Sequence, residues 1–160
     1  MIEERMVGDD ELAALLGAAF EELVARYGAE GRSAVHVQAR YLVASIDGRA
    51  VGCGAVQLVG RSVGELKRMY VDPRYRGQGI ARKLLAALED LARGMDCADL
   101  RLATGVKQPE AIALYERCGY GPIEPYGKYV DDPLSRCYGK DLRLAWSRRH
   151  LKPFPIRPPL

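Results

Sequence analysis

The stretch Arg76-Gly77-Gln78-Gly79-Ile80-Ala81 decides how this chain is read. It follows a strand-like run, Glu65 to Val71, and opens a helical pattern with Leu84, Leu85, Leu88 and Leu91 on one stripe, closed by Gly94. Glycines lack Cβ, so a ligand can come against bare backbone. A helix start adds free N–H groups and the positive end of a dipole. Strand, turn and helix together predict a seat for a phosphate or pyrophosphate.

Outward from that turn the remaining elements fall into place. Met1 to Val7 reads as a first strand. Asp9 or Asp10 caps a helix carrying Leu12, Leu15, Leu16, Phe20, Leu23 and Val24 at helical spacing, ended by Gly28. A polar loop through Gly31, Arg32 and Ser33 follows. Tyr41 to Ile46, the Asp47-Gly48 hairpin signal and Val51 to Val59 form two strands, and Glu65 to Val71 the third of a meander. Beyond the glycine turn, Glu89 and Arg93 are placed to pair at i,i+4 outside the leucine stripe. Leu100 to Thr104 is a short strand; strand, helix and strand in that order predict a crossover and a parallel pair. Pro109 starts a helix with Ala111, Leu114, Tyr115 and Cys118 on one face, stopped by Gly119. A last strand lies within Leu134 to Leu144, from about Cys137. Residues 1–145 make one domain, and 146–160, with Pro153, Pro155, Pro158 and Pro159, an extended tail.

The composition is that of a soluble single domain: 160 residues, 48% hydrophobic, 28% charged. A net charge of +3 is too mild for a nucleic-acid face, and no aromatic stacking platform with basic neighbours accompanies it. The positive charge is local: Lys67, Arg68, Arg74, Arg76, Arg82 and Lys83 crowd the glycine turn, which suits a small polyanion. Cys53, Cys97, Cys118 and Cys137 form no C-x-x-C pair, so no zinc site is expected. There is no secretory leader pattern and no membrane-length apolar run, which predicts a cytoplasmic protein with reduced thiols.

Among glycine-rich phosphate sites, a P-loop needs G-x-x-x-x-G-K-[ST], which is absent. A dinucleotide fingerprint needs a third glycine where Arg82 stands, and that side chain would block close helix–strand packing. Arg76-x-x-Gly79-x-Ala81 resembles instead the acyl-CoA signature R/Q-x-x-G-x-G/A of the GNAT superfamily of N-acetyltransferases. Ala111-Ile112-Ala113-Leu114-Tyr115-Glu116-Arg117-Cys118-Gly119-Tyr120 resembles that family's second block, A-x-x-L-Y-x-x-x-G-F/Y. The resemblance is densest over Glu65 to Tyr120. It implies a mixed α/β fold: a central sheet of about six to seven strands flanked by helices.

The resemblance also implies roles. Backbone N–H groups of Arg76, Gly77, Gln78, Gly79, Ile80 and Ala81 would hold the pyrophosphate of coenzyme A. The strand at Met69, Tyr70 and Val71 would pair with the pantetheine arm. Leu66, Met69 and Val71 share one face only if a bulge lies near Arg68, and the family has one there. Arg82 either meets a further phosphate or is a first-turn surface residue. Gln108 stands where many members have Asn; its longer arm can meet the pantetheine or cap the helix. Glu65 matches the family's general base, acting directly or through water, and alternatively is a strand-end surface carboxylate or a partner of Lys67. Tyr115 matches the tyrosine that protonates or hydrogen-bonds the leaving thiolate, while its ring packs in the core.

Cys118 lies one turn beyond Tyr115, and with no activating His or Lys it reads as a small buried thiol. His36 and His150 belong to no motif. The loop Gly121 to Tyr129 carries Glu124, Tyr126 and Tyr129, either an acceptor-binding set or an ordinary aromatic loop. The function expected is transfer of acetyl from acetyl-CoA to a primary amine of a small molecule, peptide or protein, in a ternary complex without a metal. The alternative is an acyl-CoA-binding regulatory module without turnover. Neither nucleic acid nor membrane is expected as a partner; the proline tail packing on a second copy would give a homodimer.

Overall fold

The computed structural model of the protein describes residues 1–28 and 34–143. The polar loop at Gly31 to Ser33, Leu144 and the proline-rich segment 146–160 lie outside the described residues. In chain order the elements are β1 (Ile2–Arg5), α1 (Asp10–Tyr27), β2 (Arg40–Ile46), β3 (Arg49–Gly60), β4 (Val63–Val71), α2 (Ile80–Gly94), β5 (Asp99–Gly105), α3 (Pro109–Arg117), β6 (Gly121–Pro122) and β7 (Ser135–Asp141). Single 3₁₀ turns occupy Pro73–Tyr75 and Gly127–Tyr129.

The strands form one seven-stranded sheet in the order β1-β2-β3-β4-β5-β7-β6. Among the described residues only β4 and β5 run parallel, joined by the α2 crossover; the other pairs are antiparallel. The β2–β3 turn works because Asp47 and Gly48 both take positive φ, 50° and 77°, as a type I′ hairpin requires. Asp9 caps α1 by accepting from the Leu12 N–H at 2.9 Å.

Each face of the sheet has its own core. On one, Leu84, Leu85, Leu88 and Ala92 of α2 are buried against Val51, Val56, Leu66 and Leu100. On the other, Leu12 and Leu15 of α1 pack on Tyr41, Val43, Cys53 and Ala55. Leu16 also packs against this core, and with Phe20 and Leu23 it lines a cavity.

The bulge expected near Arg68 is present. Cys53 faces Tyr70 while Ala55 faces Lys67, so Gly54 alone opposes Arg68 and Met69. Arg68 takes up the extra residue at φ 59°, a left-handed conformation that costs a non-glycine residue about 1–2 kcal/mol. The alternation is thereby reset, and Leu66, Met69 and Val71 all pack into the α2-side core. Gly54 is the counterpart: a Cβ there would sit 2.8 Å from Met69 Sδ, so its hydrogen leaves Met69 its place.

One surface expectation is corrected. Glu89 does not stand outside the leucine stripe. It is 2% exposed and bonds Lys140 Nζ at 3.0 Å and Tyr120 Oη at 3.0 Å, whereas Arg93 bonds Asp90 at 2.7 Å. Next to Leu88, Glu89 points at β7, where the Lys140 ammonium meets it.

Candidate active site

The parallel pair β4–β5 is brief. Pairing holds at Val63–Asp99, Gly64–Leu100 and Glu65–Arg101 and then stops, while β5 continues along β7 to Gly105. From Leu66 onward β4 and β5 part, so among the described residues the β4 edge that would face β5 has no strand partner. Two cavities open at this wedge. One, about 420 Å³, lies between the strands and α1; the other, about 720 Å³, runs over the glycine turn and α3. They share Glu22, Met69, Tyr70, Gln108, Ala111 and Tyr115.

The glycine turn is built to receive an anion. Gly77 and Gly79 stand at φ 79° and 80°, and a Cβ on either would meet only open space on the protein side. Gly79 is the N-cap of α2, with no side chain capping the first turn and no acidic residue within it. The first N–H groups of α2 are therefore left for another acceptor. Asp72 caps the preceding 3₁₀ turn through the Arg74 N–H at 3.0 Å and aims the chain into the glycines. These residues fit a pyrophosphate.

The sequence-derived residues converge with two exceptions. Met69, Tyr70, Val71, Arg76, Gly77, Gly79, Ile80, Ala81, Arg82, Gln108 and Tyr115 all line the second cavity. Gln78 is exposed and lines neither cavity. Arg76 is anchored: its Nε donates to the Val71 carbonyl at 2.9 Å, and its guanidinium lies 5.6 Å from the Tyr70 ring centroid. Gln108 is the N-cap of α3 but makes no side-chain cap bond, which leaves its amide to the cavities it lines.

Glu65 is the second exception. It is 4% exposed and lines neither cavity. One carboxylate oxygen holds Lys67 Nζ at 2.7 Å, and the other lies 3.7 Å from Arg101 Nε. Lys67 does line the first cavity and donates to Tyr129 Oη at 3.1 Å. The Arg101 guanidinium lies over the Tyr126 ring, 3.8 Å from its centroid. The loop tyrosines thus wall in the Glu65 cluster.

Tyr115 sits at the junction of the cavities, 6% exposed, with its ring edge-on to Tyr120 at 5.8 Å. Burial pushes its phenol above the usual range. Cys118 is half-buried and packs against the core, as a structural thiol does.

Sequence reasoning did not single out Glu22 or Tyr27 of α1. Glu22 lines both cavities and holds Arg76 at 2.9 Å; Tyr27 walls the first, its ring against Gly105. Helical periodicity marks an apolar face, but it cannot say whether that face meets a core or a cleft. Among the described residues, no group of three or more His, Cys, Asp or Glu is placed to hold a metal, and no helix is long and apolar enough to cross a membrane.

Comparison with known proteins agrees with this geometry. Residues 10–120 match the model of the acetyltransferase (GNAT) family. An IAA acetyltransferase of Azospirillum brasilense is 45% identical over 104 residues, covering 64% of this chain and 68% of that protein. A crystal structure from Klebsiella pneumoniae, described as an acyl-CoA N-acyltransferase, superposes with a TM-score of 0.75 at 41% identity, over 89% of this chain and 97% of that one. The PaiA N-acetyltransferase of Thermoplasma acidophilum, solved with coenzyme A, shares the fold at a TM-score of 0.66 and 18% identity, over 88% and 99% of the two chains.

Proposed function

The chain belongs to the GNAT family of N-acetyltransferases, and from that premise we propose that it moves acetyl from acetyl-CoA to a primary amine by direct attack within a ternary complex. One observation carries the reading: an uncapped, left-handed glycine turn opens into the same wedge that Tyr115 lines.

The chain's own groups divide the work. Main-chain N–H groups of Arg76 to Ala81, with the Arg82 side chain, hold the phosphates. The unpartnered edge of β4 at Met69, Tyr70 and Val71 lines up the pantetheine, with Gln108 opposite. The amine must attack unprotonated, although a lysine-type amine has a pKa of about 10.4. Glu65 draws off that proton through water, since the carboxylate stands behind Lys67 rather than in the cleft. Nitrogen bonds to the thioester carbonyl carbon, the C–S bond breaks, and the thiolate leaves toward Tyr115. A free thiol has a pKa of about 8.5 and a phenol about 10, so Tyr115, pushed higher still by burial, donates a hydrogen bond rather than surrendering its proton.

The acceptor is a small-molecule or peptide amine, and the protein works in the cytoplasm. Thiol release from acetyl-CoA, followed against a panel of amines with thermal shifts alongside, tests the proposal. Release with at least one amine is expected. Stabilisation by acetyl-CoA with no release on any amine would show the alternative, an acyl-CoA-binding module.

A further inference from the structure

Both oxygens of Glu22 lie 2.9 Å from Arg76 Nη2, and one lies 3.4 Å from Arg26 Nη2. Arg76 opens the phosphate turn, and Glu22 projects from α1 across the wedge. Three carboxylates line the cavities. Asp132 belongs to the first alone, its oxygens bonded to the Leu134 N–H at 2.9 Å and the Ser135 hydroxyl at 2.6 Å. Glu110 belongs to the second alone. Glu22 lines both, as Tyr115 does.

The surroundings of the junction of the cavities are cationic. Arg26, Arg76 and Arg82 line the second cavity, and Lys67 and Arg68 the first. An amine arrives as an ammonium, and like charges repel it unless a carboxylate meets it. The pyrophosphate that the turn would seat carries two negative charges and competes with Glu22 for the guanidinium of Arg76.

We propose that Glu22 is the carboxylate that docks the acceptor's ammonium, and that a seated coenzyme A releases it for this task by taking over Arg76. The inference rests on the transferase reading and goes beyond it by coupling the two substrates. Glu22 positions the nitrogen, and the proton leaves by the route already described. Linkage requires the coupling to be reciprocal: an ammonium on Glu22 frees Arg76 for the pyrophosphate by the same factor. The rest of the first cavity, with Phe20, Leu23 and Tyr27 of α1, favours an amine with an apolar body.

The test is Glu22→Gln, which keeps shape and removes charge. Calorimetric titration with coenzyme A should show the variant binding about threefold or more tighter than wild type, because the internal rival for Arg76 is gone. With 2-phenylethylamine as probe, wild type should bind at least tenfold more tightly when coenzyme A is present, and the variant should lose that gain. In turnover, the KM of the best amine should rise at least tenfold while the KM of acetyl-CoA does not rise. A variant that binds coenzyme A no more tightly than wild type overturns the proposal, since Glu22 is then only a brace for α1. A wild type that binds coenzyme A but releases no thiol with any amine sinks the transferase reading instead, and the coenzyme arm still decides the Glu22–Arg76 exchange.

Discussion

Lys67 Nζ lies 2.7 Å from the Glu65 carboxylate, and the two side chains are 8% and 6% exposed. Breaking a buried ion pair from one side costs about 3–5 kcal/mol, because the survivor is left charged in a poor solvent. Glu65→Gln should therefore destabilise the fold by roughly 3 kcal/mol. Lys67→Met should cost less, since Arg101 remains beside Glu65. The double variant should recover part of the loss, and denaturant melts of the four proteins measure that coupling. The same Glu65→Gln protein tests the base role. Its kcat, measured where the variant stays folded, should fall; a kcat equal to wild type would remove Glu65 from the chemistry.

Tyr115 carries the second prediction. A hydrogen bond to a charged partner is worth about 1.5–3 kcal/mol, which is about 10- to 100-fold in rate. Tyr115→Phe keeps the ring against Tyr120 and should lower kcat by that factor while leaving coenzyme A affinity nearly unchanged. If affinity falls and kcat holds, the hydroxyl serves binding rather than departure of the thiolate.

Gly105 and Tyr27 carry the third. Tyr27 Oη accepts from the Lys107 N–H at 2.9 Å and rests where a Cβ of residue 105 would stand. Gly105→Ala must push the end of α1 away from β5, at about 1–3 kcal/mol for overpacking. Because Tyr27 walls the first cavity, the amine KM should rise more than the acetyl-CoA KM. Adding Tyr27→Ala should relieve the clash, and a thermal melt that stays low in the double variant would refute the steric account.

The parts that sequence could reveal are those encoded locally. The glycine turn, the Asp47-Gly48 hairpin, the Asp9 cap and the leucine stripe of α2 each need only neighbours within a few residues, and each stands where its pattern placed it. The bulge at Arg68 was visible indirectly, as an alternation out of step. Of the Glu65 cluster only the pairing with Lys67 was visible, because Arg101, Tyr126 and Tyr129 come from β5 and a distant loop. Glu22 was not visible: its partner Arg76 is 54 residues away. The two-residue β6 has no periodicity to detect and forms only because β7 offers it an edge.

Asp72 gives a pH prediction for the turn. The Arg74 side chain, helped by its N–H, holds the Asp72 carboxyl down at about 2, below its ordinary value of about 3.9. A pKa lower in the folded state contributes stability above the unfolded value and loses it as pH falls through the folded one. The contribution should be constant above about pH 4 and fade between about 4 and 2. Thermal melts across that window should fall less steeply for Asp72→Asn than for wild type, and equal slopes would show that the cap does not hold the turn.

Glu89 joins three elements of the fold to Tyr115. It accepts from Tyr120 Oη and from Lys140 Nζ, and Lys140 also donates to the Cys118 carbonyl at 2.7 Å, at the end of α3. Tyr120 in turn packs edge-on against Tyr115. Glu89→Leu strands the Lys140 ammonium in the core and should cost about 3–5 kcal/mol. Replacing Lys140 by Met as well removes the stranded charge and should restore much of the stability. Activity should not return with it: Tyr120 still lacks its acceptor and the Cys118 carbonyl its donor, so Tyr115 is held less firmly. A double variant as active as wild type would show that packing alone fixes α3.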